Sequence, residues 1–434
     1  MIAYFDSDKC GNFVYDVFRV PYDPGVWTFC FNPTSPNFVN AGFVPTYDKY
    51  FSGKGIYYVS VKKHADYWSG LVENTVDFSS PPKHILEYIN PTVLLKARHG
   101  KIIIVIDNQA EGNSLHRNGF DAYAKFHRTM QHLKLPAYSV LFVDSNKNFV
   151  TDYENWCSVT RSEPKIAHSY ALTGFYYFEK DGSIPTRPLV LDAIENENSA
   201  DFNSLNRTAR LHRMEHLYYL LKHGLHKNNL VSGHAVNREN QKLNPEVFSS
   251  LISVESKEFV DTLNEHLPLS VDGNWAQKNP DDGENTLFNH TIYKNSLLSF
   301  VTETEFSDRG LFITEKIFKP IVAGHPFIVL AQEGTLDYMR ELGYKVDFSG
   351  IDSSYDKIKN PRERFFKVHE ELVRWVNFTR EEKIEHLRKS LDMIEHNLEL
   401  FKTKNYALDS YVRMKNTIED IFAKKYRKFT VEAP

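Results

Sequence analysis

The sequence predicts an α/β protein of two domains with an amphipathic helix near its C-terminus. Three observations carry that expectation. Unbroken β-branched runs, Lys101-Ile-Ile-Ile-Val-Ile-Asp107 above all, suit strands buried on both faces of a parallel sheet. Such runs alternate with stretches of helical periodicity, the order from which crossover units are built. A chain of 434 residues also exceeds what one core holds, since single cores stop growing at about 250–300 residues.

The elements follow in order. The strand Lys101 to Asp107 has Gly100 before it and the polar stretch Asn108 to Ser114 after it. A helix over Asp121 to Leu133 and a second buried strand over Ser139 to Asp144 complete one crossover unit. From Arg187 to Ser204 the character changes, and the acidic, Asn-rich stretch Glu195 to Asp201 reads as a solvated linker. That places a domain boundary there, with domains over 1–195 and 196–378 and a helical segment over 379–434 packing across them. Met214, Leu217, Tyr218 and Leu221 then fall at helical spacing, with Gly224 at a C-cap position. Val231 opens the next signal, Ser296 to Glu303 reads as a strand, Ile313 to Gly324 as a helix, His325 to Ala331 as a strand and Leu336 to Leu342 as a short helix. Ile384, Leu387, Leu391, Ile394 and Leu398 give the long amphipathic helix, supported by Glu385 four residues before Lys389.

Composition excludes several classes. With 41% hydrophobic and 25% charged residues the chain is not disordered, and 52 basic against 56 acidic side chains supply no global field for nucleic acid or an acidic membrane, although a local patch remains compatible. Cys10, Cys30 and Cys157 form neither a CxxC pair nor a disulfide framework, which fits a reducing cytoplasm. Asp6, Asp8 and Lys9 stand where a signal peptide needs apolar residues, and no run of about 18 apolar residues follows, so neither export by that route nor a membrane span is expected. The 31 Phe, 24 Tyr and 5 Trp serve large cores or stacking platforms for sugars. The Gly-rich fingerprints of dehydrogenases and P-loop NTPases and the GxSxG of serine hydrolases are absent.

The most informative segment runs from Phe312 to Val329. Thr314 is placed to cap a helix beginning at Glu315, whose first N–H groups, with Lys316 and Lys319, favour an anion. Glu315 is suited to accept from ribose hydroxyls. An ordinary capped helix with solvated lysines uses the same residue types, but Pro320 would kink or shorten it. Thr314-Glu315-Lys316, with Gly324 and Pro326 ahead of Ile328-Val329, resembles the donor-binding signature of α1,3-fucosyltransferase-like enzymes, and Leu298 to Glu303 resembles the strand before it. Asn206-Arg207-Thr-Ala-Arg210-Leu-His212-Arg213 resembles the segment that opens the C-terminal domain in related glycosyltransferases. The pairing of these two segments is also similar to glycosyltransferase-like proteins of large tailed bacteriophages.

These resemblances imply two Rossmann-like domains of GT-B type. The nucleotide-sugar donor would bind the C-terminal domain, the acceptor the N-terminal one, with reaction in the cleft between them. Arg207 or Arg213 would contact the donor diphosphate, as a guanidinium fits phosphate oxygens. The expected function is hexosyl or pentosyl transfer from a nucleoside-diphosphate sugar to a hydroxyl of a glycan or a modified DNA base. The alternative is a non-catalytic nucleotide-sugar or glycan-binding protein. No cofactor beyond the donor is called for, and a divalent metal stays open. Inverting transfer needs a carboxylate base, and Glu111, with Asp107 in reserve, lies just past the end of the clearest strand, where open sheets place ligands. A retaining reaction would lean on donor-face groups instead. Glu303 and Glu305 face that pocket or are strand-end surface charges. Asp6-Ser-Asp8 imitates a metal-binding D-x-D without the preceding half-domain that motif requires. His212, His216 and His223 lack metal-ligand spacing and read as satisfied or solvated. Lys424-Lys425-Tyr426-Arg427-Lys428 reads as a solvated tail rather than a phosphate contact.

Overall fold

In a computed structural model the described residues are 2–4, 40–42, 44–46, 54–60, 85–108, 116–117, 120–172, 184–206, 209–234, 256–271, 289–307 and 310–424. The chain divides into two units, one of Met1–Thr173, Asp308–Phe312 and Asn405–Pro434, the other of Gly174–Ser307 and Ile313–Lys404. Each is built on a parallel sheet flanked by helices, the α/β class that the buried runs predict. No helix among the described residues is long and apolar enough to cross a membrane.

The first unit begins with β1 (Ile2–Tyr4), β2 (Val44–Thr46) and β3 (Gly55–Ser60). Helix α1 (Pro91–Arg98) leads into β4 (Ile102–Asn108). A short antiparallel pair, β5 (His116–Arg117) and β6 (Phe120–Asp121), precedes α2 (Ala122–His132), β7 (Val140–Asp144), α3 (Phe149–Thr160) and β8 (Ile166–Tyr170). The six-stranded sheet has the order β2-β1-β3-β4-β7-β8, with every neighbouring pair parallel. All seven β4 residues are buried, as a strand covered on both faces requires. Ile102, Ile104 and Ile106 share one core with Phe126, Phe142, Phe149 and Tyr153. The register matches Asn108 to Asp144 and Asp144 to Tyr170, so these side chains stand on one face at the carboxyl ends of the strands. The C-terminal helix Tyr406–Phe422 packs along β8, where Arg413 donates to the Tyr170 carbonyl at 3.1 Å.

The second unit holds α4 (Val190–Glu195), β9 (Asn203–Leu205), α5 (Leu211–Lys222), β10 (Leu230–Ser232), α6 (Ser256–His266), α7 (His290–Lys294) and β11 (Ser299–Thr302). After α8 (Glu315–Ala323) come β12 (Phe327–Leu330), α9 (Thr335–Glu341), α10 (Pro361–Asn377) and α11 (Arg380–Thr403). Its sheet runs β10-β9-β11-β12, all parallel. The expected amphipathic stripe is α11, which starts in a capping box between Thr379 and Glu382. Leu387, Ile394 and Leu398 are buried, and Phe401 meets Phe318 of α8 at 5.8 Å. Burial of such side chains, worth about 1.5–3 kcal/mol each, dominates over helix propensity.

The stretch read as a solvated linker contains α4 and the start of the sheet instead. Its polar residues are internal ties: Asn196 donates to Asn295 Oδ1 at 2.7 Å, and Asp201 accepts from Lys383 Nζ at 2.6 Å and, by its carbonyl, from Trp375 at 3.0 Å. Helix α8 continues through Pro320 to Ala323 and stops at Gly324, whose left-handed φ of 64° closes it.

Candidate functional site

The carboxyl end of β11 and the N-terminus of α8 come together in the second unit around Glu303. That residue is fully buried, and its carboxylate accepts from the backbone N–H of Thr304 at 3.0 Å and of Thr314 and Ile317 at 3.2 Å each, and from the Thr314 hydroxyl. A strand-end carboxylate thus supplies the negative charge that a helix N-terminus favours. Thr314 is the N-cap, accepting from Lys316 N at 3.4 Å, as its position before the helix predicts. The first-turn N–H groups of α8 therefore have partners within the chain.

Cations surround this carboxylate. Lys316 Nζ donates to Glu315 at 2.6 Å, Thr304 Oγ1 at 3.1 Å and Thr314 Oγ1 at 3.4 Å. Arg210 donates to Glu305 at 2.6 Å and to the Thr304 carbonyl at 3.0 Å. Burial pushes the Glu315 carboxyl up, but Lys316 and Lys319 outweigh it and hold the group down to about 2. Burial lowers the Lys316 ammonium, and Glu315 opposes that shift. Glu315 is therefore a carboxylate at neutral pH.

The sequence-derived residues fall in different places. Thr314, Glu315, Lys316 and Lys319 stand together on the first turns of α8, Lys319 half-buried. Arg213 is 3% exposed and donates to the carbonyls of Glu303 at 3.0 Å and Thr302 at 3.4 Å, so it fixes the end of β11 from behind. Burial, and next the Arg210 charge, pull its guanidinium down to about 10, still cationic at neutral pH. Asp107 is fully buried at the end of β4 in the other unit. Arg207 and Glu111 lie outside the described residues, as do Asp6, Asp8 and Lys425 to Lys428.

Two contributors had a sequence signal that went unused. Glu303 is an acidic residue directly after a buried apolar strand, opposite a Thr-Glu-Lys cap, which marks it as the capping anion rather than a surface charge. Arg210, within the Asn206 to Arg213 motif, precedes α5 in extended backbone with its side chain 27% exposed. It presents its guanidinium where Arg213 does not.

Behind the site runs a buried polar chain whose direction one backbone carbonyl dictates. His369 Nδ1 lies 2.7 Å from the Phe365 carbonyl, which only accepts, so that nitrogen carries the proton and Nε2 is an acceptor. His216 Nδ1, 2.9 Å away, must then donate to it, and Ser204 donates to His216 Nε2 at 2.9 Å. Ser204 in turn accepts from Asn206 Nδ2 at 3.1 Å, and Asn206 Oδ1 from Thr302 at 2.5 Å. Of the three histidines read as satisfied or solvated, His212 and His216 are satisfied, His212 donating to the Glu303 carbonyl at 2.8 Å, and His223 is exposed.

Neutral buried histidines make a prediction for acid. Burial holds His212 and His369 down to about 3 and His325 to about 4, and pushes His216 well below its ordinary value. The unfolded chain takes up protons at these sites below about pH 6.5 while the folded chain does not. Stability is therefore full above that pH and falls as pH drops towards 3–4, with a slope approaching about 1.4 kcal/mol per pH unit for each histidine kept neutral. Asp356, pushed up to about 6 by burial, and Asp144, which burial also raises, oppose this. Urea unfolding at pH 7.5, 6 and 5 should show a stepwise loss, and a flat profile would contradict the neutral chain.

No family model matches the sequence, and neither does any curated protein. Among solved structures, the chain is similar to α,α-trehalose 6-phosphate synthase from Burkholderia multivorans at 10% identity and a TM-score of 0.39, covering 88% of this chain and 74% of that one. It is also similar to a glycosyltransferase from Rickettsia africae ESF-5 at 10% identity and a TM-score of 0.33, covering 86% of this chain and all of the other.

Proposed function

We propose that the protein is a glycosyltransferase taking a nucleoside-diphosphate sugar as donor. The observation that supports this most is the convergence of Arg210, Arg213 and Lys316 with Glu303, Glu305 and Glu315 at the carboxyl edge of a parallel sheet, the edge where open α/β sheets bind ligands. Arg210 and Lys316 engage the diphosphate by exchanging internal acceptors for phosphate oxygens, Lys319 and Arg207 add positive charge, and Glu315 receives ribose hydroxyls. Arg213 acts from behind, holding the Glu303 backbone.

In the inverting form of the reaction, a carboxylate takes the proton of the acceptor hydroxyl. That oxygen forms the new bond to the anomeric carbon as the bond to the diphosphate breaks, and the diphosphate leaves with the electron pair, stabilised by the cations. Glu111 is the proposed base, since Asp107 is fully buried. No metal is required in this scheme, because fixed cations do its electrostatic work. The acceptor is a hydroxyl of a glycan or of a modified DNA base.

A thermal-shift panel of UDP, GDP, ADP and CMP, with and without chelator, tests this reading. One diphosphate at a hundred times its Kd should add about 2.7 kcal/mol of stability, and should do so in chelator. A shift that needs added Mg²⁺ or Mn²⁺ would overturn the metal-free part alone.

A further inference from the structure

Helices of the first unit close in two different ways. Where α1, α5, α8 and α9 finish, a glycine takes the left-handed turn: Gly100, Gly224, Gly324 and Gly343. After α2, α3 and the C-terminal helix that position is Lys134 at φ of 54°, Arg161 at φ of 54° and Lys424 at φ of 56°. Among the described residues the one other non-glycine with left-handed φ is Tyr138, in the α2–β7 connection. All four belong to the first unit. A side chain costs stability at such a position and glycine does not, so the fold itself gives no reason for basic groups there.

Parallel topology collects these groups at one edge. A helix joining two parallel strands ends where the next strand begins, so Lys134 and Arg161 stand at the amino edge of the six-stranded sheet. Lys54, Lys101 and Lys165 directly precede β3, β4 and β8 at the same edge. Backbone bonds hold these starts in line: Gly55 N–H donates to the Lys101 carbonyl at 3.1 Å and Tyr138 N–H to the Lys165 carbonyl at 2.6 Å. Lys54 Nζ lies 5.6 Å from the Phe422 ring, which brings the end of the C-terminal helix, and with it Lys424, to this edge.

The charge there is one-sided. In the connections 99–101, 133–139 and 161–165 Glu163 is the one carboxylate, against Lys101, Lys134, Arg161 and Lys165. Lys165 is half-buried and the other three basic groups are exposed, and none of the four is ion-paired. Exposed lysines of the second unit do have partners, as Lys257 has Asp261 and Lys389 has Glu385. Helix dipoles do not account for the excess, since Lys101 and Lys165 stand past the helices at the strand starts. Two residues before Arg161, Val159 is 83% exposed. Anionic lipid headgroups complement the cations and the acyl boundary complements the valine, whereas a sugar–phosphate backbone offers an aliphatic side chain nothing.

We propose that the amino edge of the first sheet docks on an anionic phospholipid surface, with Lys54, Lys101, Lys134, Arg161 and Lys165 meeting the headgroups. Lys101 and Asp107 mark opposite ends of β4, about 20 Å apart, so docking leaves the carboxyl ends of the strands uncovered.

The test is co-sedimentation of the full chain with vesicles of phosphatidylcholine, alone or with about 30% phosphatidylserine. Wild type is compared with two double variants, Lys134→Gly with Arg161→Gly and Lys101→Gln with Lys165→Gln. Wild type should bind the anionic vesicles alone, and about 0.5 M salt should release it. Each double variant should bind more weakly by about tenfold or more. Thermal unfolding without lipid separates docking from a structural role: the double glycine variant should melt no lower than wild type, because two left-handed side chains are relieved. Wild type that ignores both vesicles or binds both alike would overturn the proposal, as would variants that bind as wild type does. A double glycine variant that melts lower would give Lys134 and Arg161 a structural purpose and overturn it too. Binding of a random-sequence DNA duplex without vesicle binding would assign the face to nucleic acid and reject the bilayer.

Discussion

Replacing Glu303 by glutamine is expected to destabilise the second unit by about 3–6 kcal/mol, since two hydrogen bonds to a buried charge, worth about 1.5–3 kcal/mol each, are lost. The carboxylate is fully buried and spends each oxygen on two donors: Oε1 on the N–H groups of Thr314 and Ile317, Oε2 on the Thr304 N–H and the Thr314 hydroxyl. A glutamine amide presents NH2 in place of one oxygen, so in either orientation two donors face a donor. The change also removes the negative charge that Arg213 and the α8 N-terminus share. Denaturant unfolding of Glu303→Gln should show the loss at unchanged slope, since the surface exposed on unfolding is the same. A variant within about 0.5 kcal/mol of wild type, the range of ordinary surface changes, would mean that Glu303 is not the capping anion.

Gly324→Ala is expected to cost more than about 3 kcal/mol through two separable effects. At φ of 64° an alanine pays roughly 1–2 kcal/mol for the left-handed conformation. Its Cβ would also lie 2.5 Å from the Pro188 Cα, a backbone atom that cannot swing aside, since the Leu189 N–H is tied to the Ala323 carbonyl at 2.8 Å. Gly100→Ala is the control, with nearly the same φ of 65° and nothing within 4 Å. The difference between the two variants isolates the backbone clash. Equal losses would show that Pro188 yields.

The elements legible in the sequence were those whose pattern is local and strong. Ile102 to Asn108 and Val140 to Asp144 are continuous apolar runs, α2 follows the Asp121 cap, and α11 follows its stripe. The Thr314 cap was legible for the same reason, because capping is decided within three residues. What was not legible depends on distant partners. Asn196 and Asp201 look solvated until Asn295 and Lys383 are brought to them. Arg213 and Arg210 are identical in type and three residues apart, about one helical turn, yet the end of β11 buries one and leaves the other partly open. Nothing in Asn108 or Asp144 announces their adjacency, which arises from the register of two strands with a helix between them.

The central claim is that the β11–α8 junction binds a nucleoside diphosphate through Arg210 and Lys316, and calorimetric titration of wild type, Arg210→Gln and Lys316→Met tests it most directly. The account predicts saturable binding of one nucleoside diphosphate by wild type, weakened by about tenfold or more in each variant, the effect of losing one charge-assisted phosphate contact. Wild type that binds none of the diphosphates, or variants that bind as tightly as wild type, would contradict it and leave the cations at this junction as a structural network alone.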